Sequence, residues 1–333
     1  MPIARRSLLA AATALPLFAI RRARAAEFSF RLSNNLPGLH PLNMRVAEAS
    51  ARIEEATGGR VEVTLYPDSK LGGDTEVLAK VRAGEIEMVS MSASIVSTLV
   101  PAASINGVGF AFSDYNQVWA AMDGKLGAYV RGEIGKQGVT AVSRMWNNGF
   151  RQVTTSTKPI RTPDDLRGLK LRVPVSPLWM STFSTLGAAP AGLNFVQLYD
   201  ALKTRTMDAQ ENSLAIIQTT KLYEVQGFCS LTNHIWDGFW LLANEQAMAR
   251  LPKPVRAIVE AEFDRSVTDE RADLIRLSPH LRGDLVTAGL ELNAVDAAPF
   301  REMLQKAGYY AEWRKKYGDV PWRMLEDAAG ELA

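Results

Sequence analysis

Just past residue 25 the chain alternates, with Phe28, Phe30 and Leu32 apolar and Ser29 and Arg31 polar. A period of two predicts a strand. Asn34 to Pro41, with Pro37, Gly38 and Pro41, reads as a loop. From Leu42 the period lengthens: Leu42, Val46, Ala49, Ile53 and Ala56 share one helical face, and Gly58-Gly59 stops it. Val61, Val63 and Leu65 predict a second strand ending at Pro67. Gly72-Gly73-Asp74 opens a helix carrying Val77, Leu78 and Val81, Gly84 closes it, and Met88 to Met91 predicts a third strand. Strands alternating with helices imply a mostly parallel sheet covered by helices.

A second run of the same kind follows. Val139 to Trp146 reads as a strand, Asn147-Asn148-Gly149 as a turn, and Gln152 to Ser156 as another strand. Thr162-Pro163-Asp164-Asp165 has the composition of a helix start. Lys170 to Val173 predicts a short strand, Ser176-Pro177 a helix ending near Gly187, Val196, Tyr199 and Leu202 another helix, and Met207 to Glu211 a strand. Pro252 to about Ala288 is helical; Pro279 leaves one bent helix and two separate helices both open. Pro299 onward reads as shorter helices.

Length and the amino terminus add to this picture. A chain of 333 residues with 47% apolar and 22% charged positions is ordinary for a globular protein and long enough for two domains. Arg5 and Arg6 precede the uncharged stretch Ser7 to Ile20, and Ala23-Arg24-Ala25 places small residues where a signal peptidase needs them. Residues 1–25 therefore read as a secretory signal peptide, with an apolar run shorter than the roughly 20 residues of a membrane span. The arginine pair suggests the twin-arginine route, an ordinary signal with two early arginines being the alternative. Five of the 38 basic residues lie in this segment; the rest of the chain has 33 basic against 36 acidic residues. No basic stripe remains for a nucleic acid. The single cysteine, Cys229, sits in an apolar run and is expected to be a buried thiol.

Catalytic patterns are absent. His40, His234 and His280 are far apart, with no cysteine cluster beside them, so no metal is expected. There is no nucleophile elbow, P-loop or dinucleotide fingerprint, and Gly107-Val108-Gly109 is an isolated pair of glycines. No cofactor and no enzymatic activity are expected. What stands out is Arg172, in Gly168-Leu169-Lys170-Leu171-Arg172-Val173-Pro174. In that strand Leu171 and Val173 face one way and Arg172 the other. It lies near the carboxyl end, where open α/β sheets bind ligands, and its planar guanidinium matches a carboxylate. Arg151, in Asn148-Gly149-Phe150-Arg151, and Asn212, in Asp208-Ala209-Gln210-Glu211-Asn212, are further polar candidates. On spacing alone either arginine is equally well a surface ion pair, and Asn212 a helix cap.

These segments resemble the substrate-binding subunits of tripartite ATP-independent periplasmic (TRAP) transporters. The resemblance also includes Thr57-Gly58-Gly59-Arg60-Val61 with Tyr66-Pro67, Leu71-Gly72-Gly73-Asp74-Thr75-Glu76, Leu186-Gly187-Ala188-Ala189-Pro190 and Tyr199-Asp200-Ala201-Leu202. It implies an α/β, two-lobed periplasmic binding protein fold with hinge crossover strands and a long helix spanning both lobes. Lobe I would hold residues 26–148 plus 238–277, and lobe II residues 149–237 plus 278–333. It further implies a periplasmic, monomeric, non-enzymatic protein that closes on a small organic acid and hands it to TRAP membrane subunits for ion-gradient-driven uptake. A ligand-binding sensor, or a hydrolase or lyase on the same scaffold, are the alternatives.

By the same resemblance Arg172 pairs with the ligand carboxylate, Arg151 is a second cleft base, Asn212 a polar contact, Phe195 an aromatic against the ligand, and Asn34 or Asn35 ends the first strand facing the cleft. Where sialic-acid-binding members bring charged side chains after the third strand, this chain has Ser92, Ala93, Ser94 and Ile95. Trp146, Phe150, Trp179, Phe195, Trp236, Phe239 and Trp240 cluster near the expected cleft, although each alone is also a core residue. A carboxylate with an apolar or aromatic body is the ligand these residues suggest, with Trp146 and Trp236 among its contacts.

Overall fold

The computed structural model describes residues 25–332, so the expected signal peptide lies, Ala25 apart, outside the described residues. Among the described residues eleven strands are joined by hydrogen bonds, eight on one path and β4, β9 and β11 branching from it: β1 (Phe28–Asn34), β2 (Val61–Tyr66), β3 (Met88–Ser92), β4 (Val139–Ala141), β5 (Trp146–Thr155), β6 (Lys170–Val173), β7 (Ala189–Gly192), β8 (Ala209–Ser213), β9 (Phe228–Leu231), β10 (Trp236–Asn244) and β11 (Glu291–Ala294). The first seven helices are α1 (Pro41–Ala56), α2 (Asp74–Ala83), α3 (Ala93–Val96), α4 (Tyr115–Met122), α5 (Lys125–Gly135), α6 (Pro177–Thr185) and α7 (Leu198–Lys203). The rest are α8 (Leu214–Thr219), α9 (Glu245–Ala249), α10 (Lys253–Thr287), α11 (Ala298–Lys306), α12 (Tyr309–Tyr317) and α13 (Asp319–Ala329).

The path divides into two sheets that share β5. In the first, β1 runs parallel to β2 and β3, and β10 enters antiparallel between β3 and β5. In the second, β6 runs parallel to β7 and β8, while β8 and β9 pair antiparallel with β5. The early half of β5, Trp146 to Phe150, pairs with β10; the later half, Arg151 to Thr155, pairs with β8 and β9. Each sheet is covered by helices, giving two lobes joined by crossing strands.

The apolar faces of the helices explain the packing. Leu42, Val46, Ala49 and Ile53 of α1 bury against β1, β2 and the early part of α10, with Val255, Val259, Phe263 and Val267. A separate core gathers Leu198, Leu202, Ile217 and Leu222 with Leu274, Leu281 and Leu285 of the same α10. One continuous helix of 35 residues thus contributes to two cores and runs through Pro279 without interruption. The end of the chain crosses back: α12 packs on α6, while α13 buries Trp322 and Leu325 and packs on α4 and α5 of the first lobe. Among the described residues no helix is long and apolar enough to cross a membrane.

One expectation is overturned. The predicted turn at Asn147-Asn148-Gly149 lies inside β5, and the predicted strand from Val139 to Trp146 is broken after Ala141. The asparagines stay extended because tertiary partners satisfy them. Asn147 Oδ1 accepts from Trp236 Nε1 at 3.0 Å, and its backbone N–H donates to Glu270 at 3.0 Å. Asn148 donates to Asp237 at 2.7 Å and accepts from Ser213 Oγ at 3.1 Å. Gly149 supplies the irregularity instead, at φ +100°, opposite a register shift between Asp237 and Gly238. That backbone conformation suits glycine, having no Cβ.

Candidate ligand site

The period of two in β6 sends Leu171 and Val173 into the core and Arg172 to the opposite side. Arg172 is 1% exposed, yet it makes no ion pair among the described residues. Its Nε and Nη2 donate to the Leu193 carbonyl at 3.0 and 2.6 Å, while the buried Nη1 has no protein partner. The guanidinium carbon lies 5.8 Å from the centre of the Phe195 ring. Burial lowers its pKa to about 10, with Asp74 and Glu211 opposing that shift and Arg151 adding to it. It therefore remains a cation at neutral pH, anchored to one carbonyl and with a donor unclaimed. Burying a charge without a direct ion pair is costly, and an anion bound at the free donor would reduce that cost.

Arg151, in the later half of β5, is saturated instead. Its guanidinium meets the Glu211 carboxylate through Nε and Nη2, Nη2 also donates to the Glu211 carbonyl at 2.6 Å, and Nη1 reaches Asp237 at 3.3 Å. It lies 4.6 Å over the Trp179 ring. Burial pushes the Glu211 carboxyl up, but Arg151 and His234 more than offset this and leave it lowered. Burial lowers the His234 pKa against the pull of Glu211; the ring sets Nε2 3.1 Å from the Glu211 carboxylate, which only accepts, and Nδ1 2.7 Å from Thr232 Oγ1. Burial pushes Asp237 up to about 6, against the pull of Arg151, Asn148 and Ser92.

Arg172, Arg151, Asn212, Phe195 and Asn35 come together around one cavity between the lobes, with a volume of about 20 Å³. Asp74, Ser92, Asn148, Asp237 and Phe239 complete its polar and aromatic lining. Across the cavity mouth the lobes touch. Asp74, at the start of α2, accepts from Asn35 Nδ2 at 2.8 Å and from the Phe195 backbone N–H at 2.9 Å. Asn194 donates to Thr75 Oγ1 at 3.3 Å and accepts from its N–H at 3.4 Å. The molecule is thus seen with its lobes in contact.

Two expected contacts lie elsewhere. Trp146 is fully buried in the first core with its indole N–H on Ser143, and Trp236 is buried with its N–H on Asn147; neither lines the cavity. Trp179 and Trp240 are likewise core. Phe150 turns to a second groove, about 310 Å³, with Tyr115 and Leu281. That groove is larger, but no buried, unpartnered charge converges on it. Asn34 folds back, donating to the Ser90 carbonyl at 3.1 Å and accepting from Leu36 N–H at 2.6 Å. Asp74, Glu211 and Asp237 were not among the expected site residues. In sequence, the acid after two glycines at Asp74 signals only a helix start. Glu211 lay beside Asn212, and Asp237 beside Trp236, without a spacing that announces a partner. Among the described residues no group of three or more His, Cys, Asp or Glu side chains is placed to hold a metal ion.

A family model described as bacterial extracellular solute-binding protein, family 7, matches residues 32–316. The chain is 35% identical over 193 residues to the 2,3-diketo-L-gulonate-binding periplasmic protein YiaO of Escherichia coli, a match spanning 58% of each chain. Among solved structures, a TRAP periplasmic solute-binding protein from Sulfurospirillum deleyianum with bound succinate shares 25% identity. It superposes with a TM-score of 0.85, covering 91% of this chain and 99% of that one. Another, from Polaromonas and bound to D-erythronate, also shares 25% identity, with a TM-score of 0.87 over 91% of this chain and 100% of that one.

Proposed function

The chain belongs to bacterial extracellular solute-binding protein family 7, the substrate-binding subunits of TRAP transporters, and on that premise we propose that it captures a small organic acid between its lobes and presents it to TRAP membrane subunits. The observation that carries this reading is Arg172: a buried guanidinium with one donor unclaimed, held by a carbonyl and not by an acid. A carboxylate entering there gains charge-assisted hydrogen bonds of about 1.5–3 kcal/mol each. Relatives whose names give periplasmic sugar-acid binding, and structures holding succinate or D-erythronate, support an acid as ligand.

A cavity of about 20 Å³ has room for little more than one water, so an acid of four or more carbons enters only when the lobes part. The hinge lies where β5 and β10 cross, at Gly149 and at the register shift between Asp237 and Gly238. Residues 26–148 plus 238–277 then move against residues 149–237 plus 278–333, with α13 reaching back to the first lobe. Contacts of Asp74 and Asn194 across the mouth hold the closed form, which is the form offered to the membrane subunits. The protein works outside the cytoplasm, exported by the twin-arginine route. Blocking that translocase in the native host tests the route, and secretion undisturbed by the block rejects it.

Titration calorimetry against a panel of mono- and dicarboxylates tests the central claim. Arg172→Ala is expected to weaken binding at least tenfold while the fold persists. Unchanged affinity in this variant takes Arg172 out of the site.

A further inference from the structure

Two buried polar atoms of the cavity lining lack a partner in the protein, and they are of opposite kinds. Arg172 Nη1 is a donor only; Asn35 Oδ1 is an acceptor only. The orientation of the Asn35 amide is fixed, because its other atom faces Asp74 Oδ1 at 2.8 Å and an ionised carboxylate only accepts. The amide nitrogen therefore meets Asp74, and the oxygen is left over. Two further acceptors stand beside it. Asp237 Oδ1 takes one bond, from Ser92 Oγ at 2.9 Å, and the Asp74 oxygens take one each, from Asn35 and Phe195. A carboxylate oxygen has room for two. The site thus offers a free donor at one place and spare acceptors around it.

The charges lead to the same division. Arg151 is covered by Glu211 and touches Asp237, so its charge is already balanced. The cavity is left with one uncommitted cation, Arg172, facing two buried carboxylates, Asp74 and Asp237. A first ligand carboxylate has a guanidinium to meet. A second would enter a low-dielectric space beside like charges, where repulsion is strong. Membership of the family leaves this choice open, since one relative holds succinate and another D-erythronate.

We propose that the site is built for a monocarboxylate whose body carries hydroxyl or amino hydrogens for Asn35 and Asp237, and that Asp74 and Asp237 exclude a second carboxylate. The inference rests on the carboxylate reading of Arg172 given above. It replaces the aromatic body suggested by the sequence, since the tryptophans expected to line the cleft pack in the core.

Calorimetry at pH 7.5 on the full mature protein tests it with matched series of four, five and six carbons: the alkanoate, the aldonate and the dicarboxylate of each length. The expected result is that the best aldonate binds at least tenfold tighter than both the alkanoate and the dicarboxylate of its length. Asn35→Ala should narrow the gap between aldonate and alkanoate at least fivefold. Asp237→Asn, which keeps an acceptor and removes the charge, should narrow the gap between aldonate and dicarboxylate by a similar factor. Thermal melting of each variant checks folding, and Asp74→Asn replaces Asp237→Asn where the latter melts early. A dicarboxylate bound as tightly as its aldonate overturns this inference and leaves the carboxylate reading standing. Failure of every acid in the series to bind overturns both.

Discussion

Arg151 and Arg172 sit on adjacent walls of one cavity, equally buried, and are opposite in kind. Arg151 is spent inside the protein, clasped by Glu211, touching Asp237 and lying over Trp179. Arg172 holds only a backbone carbonyl and leaves Nη1 unclaimed. A saturated guanidinium beside the proposed hinge fixes the shape of the site; an unsaturated one keeps a donor for the proposed ligand. Two arginines that look alike in sequence therefore differ in what surrounds them, one paired inside the protein and one left with an unclaimed donor. Burial alone does not distinguish them.

The sharpest way to break this contrast is Arg151→Met. Removing one partner of a buried pair leaves Glu211 and Asp237 uncompensated, which typically costs about 3–5 kcal/mol. Denaturant unfolding should show that loss, and a loss below about 1 kcal/mol would mean Arg151 is no scaffold. Arg172→Ala should do the reverse, with affinity down at least tenfold, about 1.4 kcal/mol or more, and a denaturation midpoint close to that of the parent. Arg172→Lys should also bind poorly, because a point charge lacks the planar fork; full retention would reduce the contact to simple charge.

Glu270 sharpens the contrast with a third solution. It sits in the middle of α10, fully buried, and accepts from Asn147 N–H at 3.0 Å. Burial pushes its pKa up to about 8, with Asn147 and Arg271 opposing. Its charge is thus neither paired nor open but suppressed by a proton. The folded protein keeps that proton to about pH 8, while the unfolded chain releases it near 4.5. This group's contribution to stability is therefore fully present below pH 4.5 and is lost as pH climbs to 8. Glu270→Gln should remove that decline, by on the order of 4 kcal/mol across the window. Denaturation at pH 5 and pH 8 measures it, and parallel slopes for parent and variant would reject the account. The smallest effect belongs to the mouth: Asn194→Ala should weaken ligand binding by about twofold to fivefold, through loss of the Thr75 contacts. Scattering on the liganded protein should then show a larger open fraction, and an unaltered profile with unaltered affinity would dismiss the latch.

Much of this is legible in the sequence alone. Strict alternation in Lys170–Val173 places Arg172 opposite the core, because a four-residue strand has only two faces. The helix periods gave α1 and α2 their buried sides. Other features are not. Glu211 and Asp237 lie 60 and 86 residues from Arg151, and nothing local marks a partner at that range. Trp146 and Trp236 carry the same apolar signal whether they line a cleft or fill a core; their polar ends, met by Ser143 and Asn147, decide the matter only in three dimensions. The turn expected at Asn147-Asn148-Gly149 followed sound local propensity and lost to four tertiary hydrogen bonds. Sites of that kind, where local preference is overruled, are where function tends to be placed.

The strand β5 belongs to both lobes. Its front half completes one sheet and its back half the other, so a slip of one residue along it would turn every side chain of the strand to the wrong face in both sheets at once. The two lobes are therefore not modules to be cloned apart. The first sheet would lose its last strand and the second an inner one, and heat should melt the pair in a single cooperative step.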